Sequence, residues 1–462
     1  MLQHTNRPWS NDHFTMELPS NPSINHPYIP STDFERAEML SVIGVDSFDD
    51  LLSDIPLEHR HPRMDLTSGL SEQELGSRIS GFAGENASPS SGYVSFLGAG
   101  AYSHYIPSVV RSILQRGEFV TGYTPYQPEA AQGTLQVGFE FQTIICQLTG
   151  MEVANAGMYD GPTAFAEACL MAARVTRRNK VGVVSDIDNR LLEVLISYVK
   201  YQDIEIIEIT PDTRVIPDDL ACIGIQSPNF FGEIQDVERL TNLAHDHGAL
   251  SVVHVNPISL GLFKSPGEFG VDIVTAEGQP LGVPMAFGGP YVGLFACKKE
   301  HIRQMPGRII GYTKDTKGRA GYALTLQTRE QHIRRERATS NICTSTQLIA
   351  LMVTAYVATL GKQGIKEVAE LCYQKAHYAA KEITNIEGYS VRNKGTFFHE
   401  FVVTCPREPS VINAELLKQK IIGGLDISNR SDNGMLVCFT ETNSKKDIDR
   451  FVEGLRQLGE VH

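Results

Sequence analysis

The sequence predicts an α/β protein, with a three-layer large domain followed by a smaller C-terminal α/β domain. Three observations carry this. Between about residues 95 and 330, short β-branched or apolar runs alternate with helical stretches, at a spacing that builds a largely parallel sheet covered on both faces. A long helical pattern follows from about 345 to 386. After it, short strands and helices alternate again. The expected division is an N-terminal arm with small helices over 1–94, the large domain over 95–340, and the connecting helix with the small domain over 341–462.

Residues 1–31 are polar and carry prolines and asparagines, which suits a flexible or wrapping arm. They lack an apolar h-region, and they hold acidic residues and few arginines, so neither a secretory signal nor a mitochondrial presequence is expected. Two capping boxes, Thr32…Glu35 and Ser71…Glu74, each open a short helix, so 32–90 reads as small helices ending in the loop Ser88-Pro-Ser-Ser-Gly92. In the large domain the expected strands are Val181–Ser185, Ile204–Glu208, Cys222–Gln226, Leu250–Val255, Asp272–Thr275 and Tyr291–Ala296. The expected helices include Thr163–Thr176, Arg190–Tyr201 and Val237–His247. Phe287-Gly-Gly-Pro-Tyr-Val-Gly293 breaks the alternation with a glycine turn between two strands. Leu348–Leu360 is the longest apolar stretch. It is too short to span a bilayer and holds two threonines, so it reads as a buried helix. In the small domain, strands Phe397–Val403 and Met435–Phe439 alternate with helices Ala414–Ile421 and Lys446–Leu458.

With 462 residues and 42% apolar content, the chain is long enough for a large core and two to three domains. Charged residues make up 21%, with both signs interspersed, and the formal net charge is −13; a nucleic-acid binder would show a basic face instead. Eight cysteines stand apart, with no CxxC pair and no zinc-finger spacing, as expected of reduced thiols in the cytoplasm.

A large α/β domain, a long connecting helix and a small α/β domain is the layout of the aspartate-aminotransferase-like (fold type I) pyridoxal-phosphate enzymes. Layout alone does not give function. The chemistry of that class needs a lysine to hold the cofactor as a Schiff base and an acid to pair with the pyridinium nitrogen. The lysine follows a strand late in the large domain, where this chain reads Val271-Asp-Ile-Val-Thr-Ala-Glu-Gly-Gln-Pro-Leu281, and no lysine lies between Lys264 and Lys298. Asn256 stands where the acid is expected, and an amide supplies no carboxylate. The adjacent Lys298 and Lys299 read as a solvated pair at a strand end.

The remaining motifs each admit two readings. Thr121-Gly-Tyr-Thr-Pro-Tyr-Gln-Pro-Glu-Ala-Ala-Gln-Gly133 is either a rigid presented surface or an ordinary loop with buried tyrosine rings. Tyr159-Asp-Gly-Pro-Thr163 opens a helix whose N–H groups could seat a phosphate, but with the lysine missing, plain capping by Asp160 fits better. Phe96-Leu-Gly-Ala-Gly-Ala-Tyr-Ser-His104 is glycine-rich without being GxGxxG, and reads as a packed loop near a site; His104 is either a site residue or a satisfied core histidine. Arg329-Glu-Gln-His-Ile-Arg-Arg-Glu-Arg337 is either an anion-binding fork or a helix face balanced by Glu330 and Glu336; taken alone, the balanced face is preferred.

Taken together these segments resemble one family. Thr124-Pro-Tyr-Gln-Pro-Glu129 with Gln132-Gly133, Met158-Tyr-Asp-Gly161, Gly278-Gln-Pro-Leu-Gly282, Phe287-Gly-Gly-Pro290, and Arg329–Arg335 with Ala338-Thr-Ser-Asn-Ile-Cys-Thr344 occur in this order in the alpha-type subunit of glycine decarboxylase, the P protein of the glycine cleavage system. The likeness runs from about residue 27 to 460. It implies half of a split enzyme in an α2β2 assembly, whose beta-type partner carries the cofactor lysine and binds pyridoxal phosphate covalently. With that partner, glycine is decarboxylated and the aminomethyl group passes to the lipoyl arm of the H protein. Gln279-Pro280 then stands where the beta chain has His-Lys. The resemblance further implies that Tyr126, Gln127, Glu129, His104, His332 and Arg334 wall the active site at the subunit interface. The competing readings are a catalytically dead scaffold, which has no need of the polar loop or the arginine block, and a self-sufficient enzyme, which the missing lysine counts against.

Overall fold

The computed structural model describes residue 28 and residues 31–62, 69–343 and 346–459. Most of the N-terminal arm and Thr344 lie outside them. Contacts divide the chain into two units, Met1–Gly81 and Phe82–His462.

In the first unit the capping boxes form as their residues dictate. The Thr32 hydroxyl accepts the Glu35 N–H at 3.2 Å, and the Glu35 carboxylate accepts the Thr32 N–H at 2.7 Å. Ser71 and Glu74 repeat the exchange at 3.3 and 2.9 Å. The helices they open are Asp33–Ile43, closed by Gly44 in the left-handed region, and Glu72–Gly84.

The first strand of the second unit is short, β1 (Val94–Ser95). Seven strands then build one sheet: β2 (Val153–Ala154), β3 (Lys180–Val184), β4 (Glu205–Ile209), β5 (Leu220–Ser227), β6 (Leu250–Val255), β7 (Ile273–Glu277) and β8 (Gly293–Cys297). Their order is β2-β8-β7-β6-β5-β3-β4. β3 to β7 run parallel, and only β8 opposes its neighbours. The near-continuous apolar runs require cover on both faces, and they have it. On one face lie the helices Gly161–Thr176 and Asn189–Val199, the second through Leu191, Leu195 and Val199, four residues apart. On the other lie Gln132–Thr149, Val237–Asp246 and the start of the long helix. The glycine turn joins β7 to β8: Phe287, Gly288 and Gly289 all have positive φ, and the Phe287 side chain is fully exposed. A hairpin that the sequence pattern did not reveal follows, β9 (Ile309–Lys314) with β10 (Ala320–Thr325).

The long helix spans Gln347–Thr384 and is broken at Gly361, whose backbone (φ 61°) is not helical. Ile349–Tyr356 are all buried, and most of them join the core of one sheet face. The whole helix is long and apolar enough by length and composition to cross a membrane. The part before the break rises only about 21 Å, against a hydrocarbon core of about 30 Å. Beyond the break, Ala376, Ala379 and Ile383 pack against Phe401, Val437 and Phe451 in a separate core. That core covers an antiparallel sheet, β11 (Ser390–Val391), β12 (Glu400–Thr404), β14 (Leu425–Asp426) and β15 (Gly434–Cys438), in the order β11-β12-β15-β14, while β13 (Ile421–Ile422) pairs with β1. The helix expected over Ala414–Ile421 runs instead over Pro409–Lys418: Pro409 opens it at the first turn, and Lys420 at positive φ turns the chain into β13.

Candidate functional site

β5, β6 and β7 end at one cavity of about 350 Å³. The carboxyl ends of parallel strands are where open α/β sheets bind ligands. Asp160 and Pro162 at the start of the Gly161–Thr176 helix line it, as do Gly100 to Tyr102 of the glycine-rich segment, and the cis Pro228 beyond β5 closes one side.

The helix start is occupied from within. Asp160 caps it, accepting the Thr163 N–H at 2.8 Å. The Gly161 N–H donates to a Glu277 carboxylate oxygen at 2.8 Å, and the other Glu277 oxygen accepts the Gln279 N–H at 2.9 Å. Only glycine permits this approach, since a Cβ on residue 161 would lie 2.9 Å from both the backbone nitrogen and the Cβ of Glu277. Burial pushes the Glu277 carboxyl up to about 7 against these N–H groups. Glu400 accepts the Ala99 N–H at 2.5 Å and the Tyr102 hydroxyl at 2.6 Å, and burial pushes it, too, up to about 7. Burial lowers His254 to about 4 and holds His399 well below the usual histidine range, so both imidazoles are neutral at pH 7. Arg190, paired with Asp188, is the one cationic side chain among the described residues that line this cavity.

Gln279, in the stretch searched for a lysine, is 1% exposed and has its amide committed. Its oxygen accepts the Tyr102 N–H at 2.8 Å; its nitrogen donates to the carbonyls of Tyr102 and Val283, both at 2.8 Å. Asn256, just past β6, makes a 3.2 Å contact with His399 Nε2. Lys298 is no solvated pair member: its Nζ meets the buried Asp272 carboxylate at 2.5 Å.

A second locus gathers the motif residues. Arg308, 4% exposed, sits beneath Tyr126: its guanidinium carbon is 5.3 Å from the ring centre, and its Nη2 is 3.4 Å from the hydroxyl. The same nitrogen donates to the Cys343 carbonyl at 3.1 Å, and Arg308 Nε lies 3.9 Å from Glu330. His332 stands 3.6 Å from Glu330 with its ring edge-on to Tyr126 at 5.9 Å. The Tyr159 hydroxyl accepts the Cys343 N–H at 3.0 Å. The Tyr126 loop, the Tyr159 motif and the arginine block therefore converge, with Gln127, Glu129 and Arg334 exposed on the segments around them. Arg329 is buried rather than part of a solvated face, and its guanidinium donates to the carbonyls of Met305, Gly307 and Leu326. His104 lies apart and buried, its Nδ1 2.8 Å from Glu441, which also accepts the Tyr105 N–H at 2.7 Å. Burial works to raise Glu441, yet the His104 hydrogen bond and charge bring it below its ordinary value. Arg308 and Glu277 went unmarked in the sequence, because neither belongs to a motif and the Tyr126 and Gly161 groups that they meet lie 182 and 116 residues away.

Residues 26–455 match the family model of the glycine cleavage system P-protein. The chain belongs to that family. It is 49% identical over 93% of its length to the probable glycine dehydrogenase (decarboxylating) subunit 1 of Desulfitobacterium hafniense, of which it covers 99%. Its fold is similar to a crystal structure of glycine decarboxylase (P-protein) of the glycine cleavage system in inhibitor-bound form, at TM-score 0.89 and 38% identity, covering 94% of this chain and all of that one. A likeness to Burkholderia pseudomallei sphingosine-1-phosphate lyase, at TM-score 0.60 and 14% identity over 87% of this chain and 94% of that one, supports the fold type I pyridoxal-phosphate layout.

Within this P-protein chain the cavity does not fit that cofactor. The helix N–H group that would meet a phosphate holds Glu277, the cavity is lined by carboxylates, and a buried glutamine amide occupies the stretch where a lysine is needed.

Proposed function

We infer that this chain is subunit 1 of glycine dehydrogenase (decarboxylating) and works only with a second, lysine-bearing subunit. The near full-length identity to relatives of that name carries the reading. The committed amide of Gln279 supports the need for a partner. In this reading the partner is the beta-type chain in an α2β2 assembly and binds pyridoxal phosphate covalently. Glycine loses CO2 there, and the aminomethyl group passes to the lipoyl arm of the H protein. Eight free cysteines suit a cytoplasmic protein.

This chain's contribution is a wall. Tyr126, Gln127, Glu129, His332 and Arg334 present polar and aromatic groups from two segments that Arg308 joins from beneath. Facing the partner's site, they orient an anionic substrate or cofactor and exclude water. His104 acts from behind, fixing the glycine-rich segment to Glu441.

The test mixes the full chain with its beta-type partner, pyridoxal phosphate and the lipoyl carrier, and follows glycine–bicarbonate carbon exchange and borohydride fixation of the cofactor. The reading expects neither from the lone chain and both from the mixture. Fixation and exchange by the lone chain overturn the partner requirement. An inert mixture makes the scaffold reading the better one.

A further inference from the structure

The cavity at the ends of β5 to β7 is more than a cofactor seat gone out of use. It keeps its volume of about 350 Å³, but its chemistry is inverted. Among the described residues, the carboxylates of Asp160, Asp188, Glu277 and Glu400 line it against a single guanidinium, Arg190, which is already shared with Asp188 and the Ala99 carbonyl. The peptide N–H that a helix start offers to an anion is filled by Glu277 at 2.8 Å. An incoming phosphate would have to displace one carboxylate and lie beside others, at a large Coulomb cost in a partly dry site.

An independent feature points to a ligand of the other sign. His254 is 7% exposed and lines the cavity. Its Nδ1 is held by Thr275 at 3.0 Å, and its Nε2 makes no hydrogen bond among the described residues. A buried neutral imidazole with one unused nitrogen, in a space with room for several atoms, is a half-built recognition group. Leu191, Val255, Pro257 and Pro280 supply an apolar wall, which suits an organic chain better than a bare ion.

We propose that this cavity is a second, non-catalytic binding site of the chain, for a small organic primary ammonium rather than for a phosphate ester. The ammonium group sits among the carboxylates, and the carbon chain lies on the apolar wall. The site belongs to this chain alone and does not depend on the partner's chemistry.

The experiment titrates the full chain with ethanolammonium chloride, ammonium chloride or inorganic phosphate at constant ionic strength and about pH 8, where both glutamates are mostly ionised. Isothermal calorimetry and saturation-transfer NMR read the binding. Ethanolammonium binds with a dissociation constant of order millimolar, the ammonium ion at least about fivefold more weakly, and phosphate not at all. Glu277→Gln weakens ethanolammonium at least about fivefold, and Glu400→Gln repeats the loss if the first variant folds poorly. Phosphate binding to the wild-type chain, equal binding of the ammonium ion and ethanolammonium, or no ethanolammonium binding at all overturns the proposal. So does ethanolammonium binding that is unchanged in both folded variants.

Discussion

Replacing Arg308 by methionine tests whether the Tyr126 locus is built on a buried charge. The guanidinium and the Glu330 carboxylate are 3.9 Å apart, with side chains 5% and 9% exposed. At an effective dielectric constant near 20 their attraction is about 4 kcal/mol. The hydrogen bond to the Cys343 carbonyl adds about 1.5–3 kcal/mol and the contact with the Tyr126 ring about 1–2 kcal/mol. Desolvating Arg308 offsets much of this, so removing it alone costs a net of about 3–5 kcal/mol, mostly because Glu330 remains buried without its close partner, leaving the half-exposed His332 and the adjacent Arg329, whose donors are spent on main-chain carbonyls. For a cooperative unit of about 380 residues, with an unfolding entropy near 2.1 cal/mol/K per residue, the midpoint falls by about 4–6 °C. Differential scanning calorimetry, with urea denaturation as a second probe, measures it. Glu330→Gln in the Arg308→Met background recovers at least about half of the loss, since the stranded charge is then gone. A single-variant shift under about 1 °C, or a double variant no better than the single, refutes the account of Arg308 as a buried counter-charge.

Tyr126→Ala lowers the midpoint of the lone chain by only about 1–3 °C, the loss of the Arg308 contact from a half-exposed ring, but lowers carbon exchange with the partner at least tenfold; full exchange would remove Tyr126 from the wall. Glu277 and Glu400 both have folded values raised to about 7, so their neutral forms stabilise the fold below the unfolded value near 4.5, and this is lost as pH rises through 7. Glu277→Gln flattens that fall, measured as urea stability from about pH 5 to 8, by at most about 3 kcal/mol; an unchanged profile would mean Glu277 is ionised throughout. His254, lowered to about 4, works the opposite way as pH falls below 6.5, and Gln replacement of Glu277 leaves that limb in place. Pro280→Lys, which puts a lysine at the position matched to the partner's, gives no borohydride-fixed cofactor in the lone chain, because Glu277 still fills the helix start; one equivalent fixed per chain would show that the lysine was the sole deficit.

Features written in local sequence were legible. Both capping boxes close as their Thr/Ser and Glu residues require, and the run Leu250–Val255 is a strand with those ends. The glycine turn before β8 was visible because a Phe-Gly-Gly-Pro sequence has few other uses. The helix Gln132–Thr149 escaped notice: its N-cap is Ala131, with no capping side chain, and glutamines and threonines interrupt its apolar face, so burial against the sheet rather than propensity holds it. The site was half legible. The missing lysine and the motifs pointed to segments that the fold brings together, but what joins the Tyr126 loop to Glu330 and Cys343 is Arg308, whose sequence neighbourhood, Pro306-Gly307-Arg308, signals only a turn. The arginine block misled in part, because Arg329 spends its donors on three main-chain carbonyls of neighbouring segments, a use that no charge pattern reveals.

The closed helix start at Gly161 also bears on how cofactor content is counted. A chain that keeps the fold yet offers no seat for the phosphate turns half of any equimolar assembly into a spectroscopic blank. In the proposed equimolar assembly, with one cofactor on each partner chain, bound cofactor measured per polypeptide would level off at one half, and that half would be saturation. A preparation reporting one per polypeptide would hold excess second subunit or cofactor stuck to surface lysines, and one reporting a quarter would be half loaded.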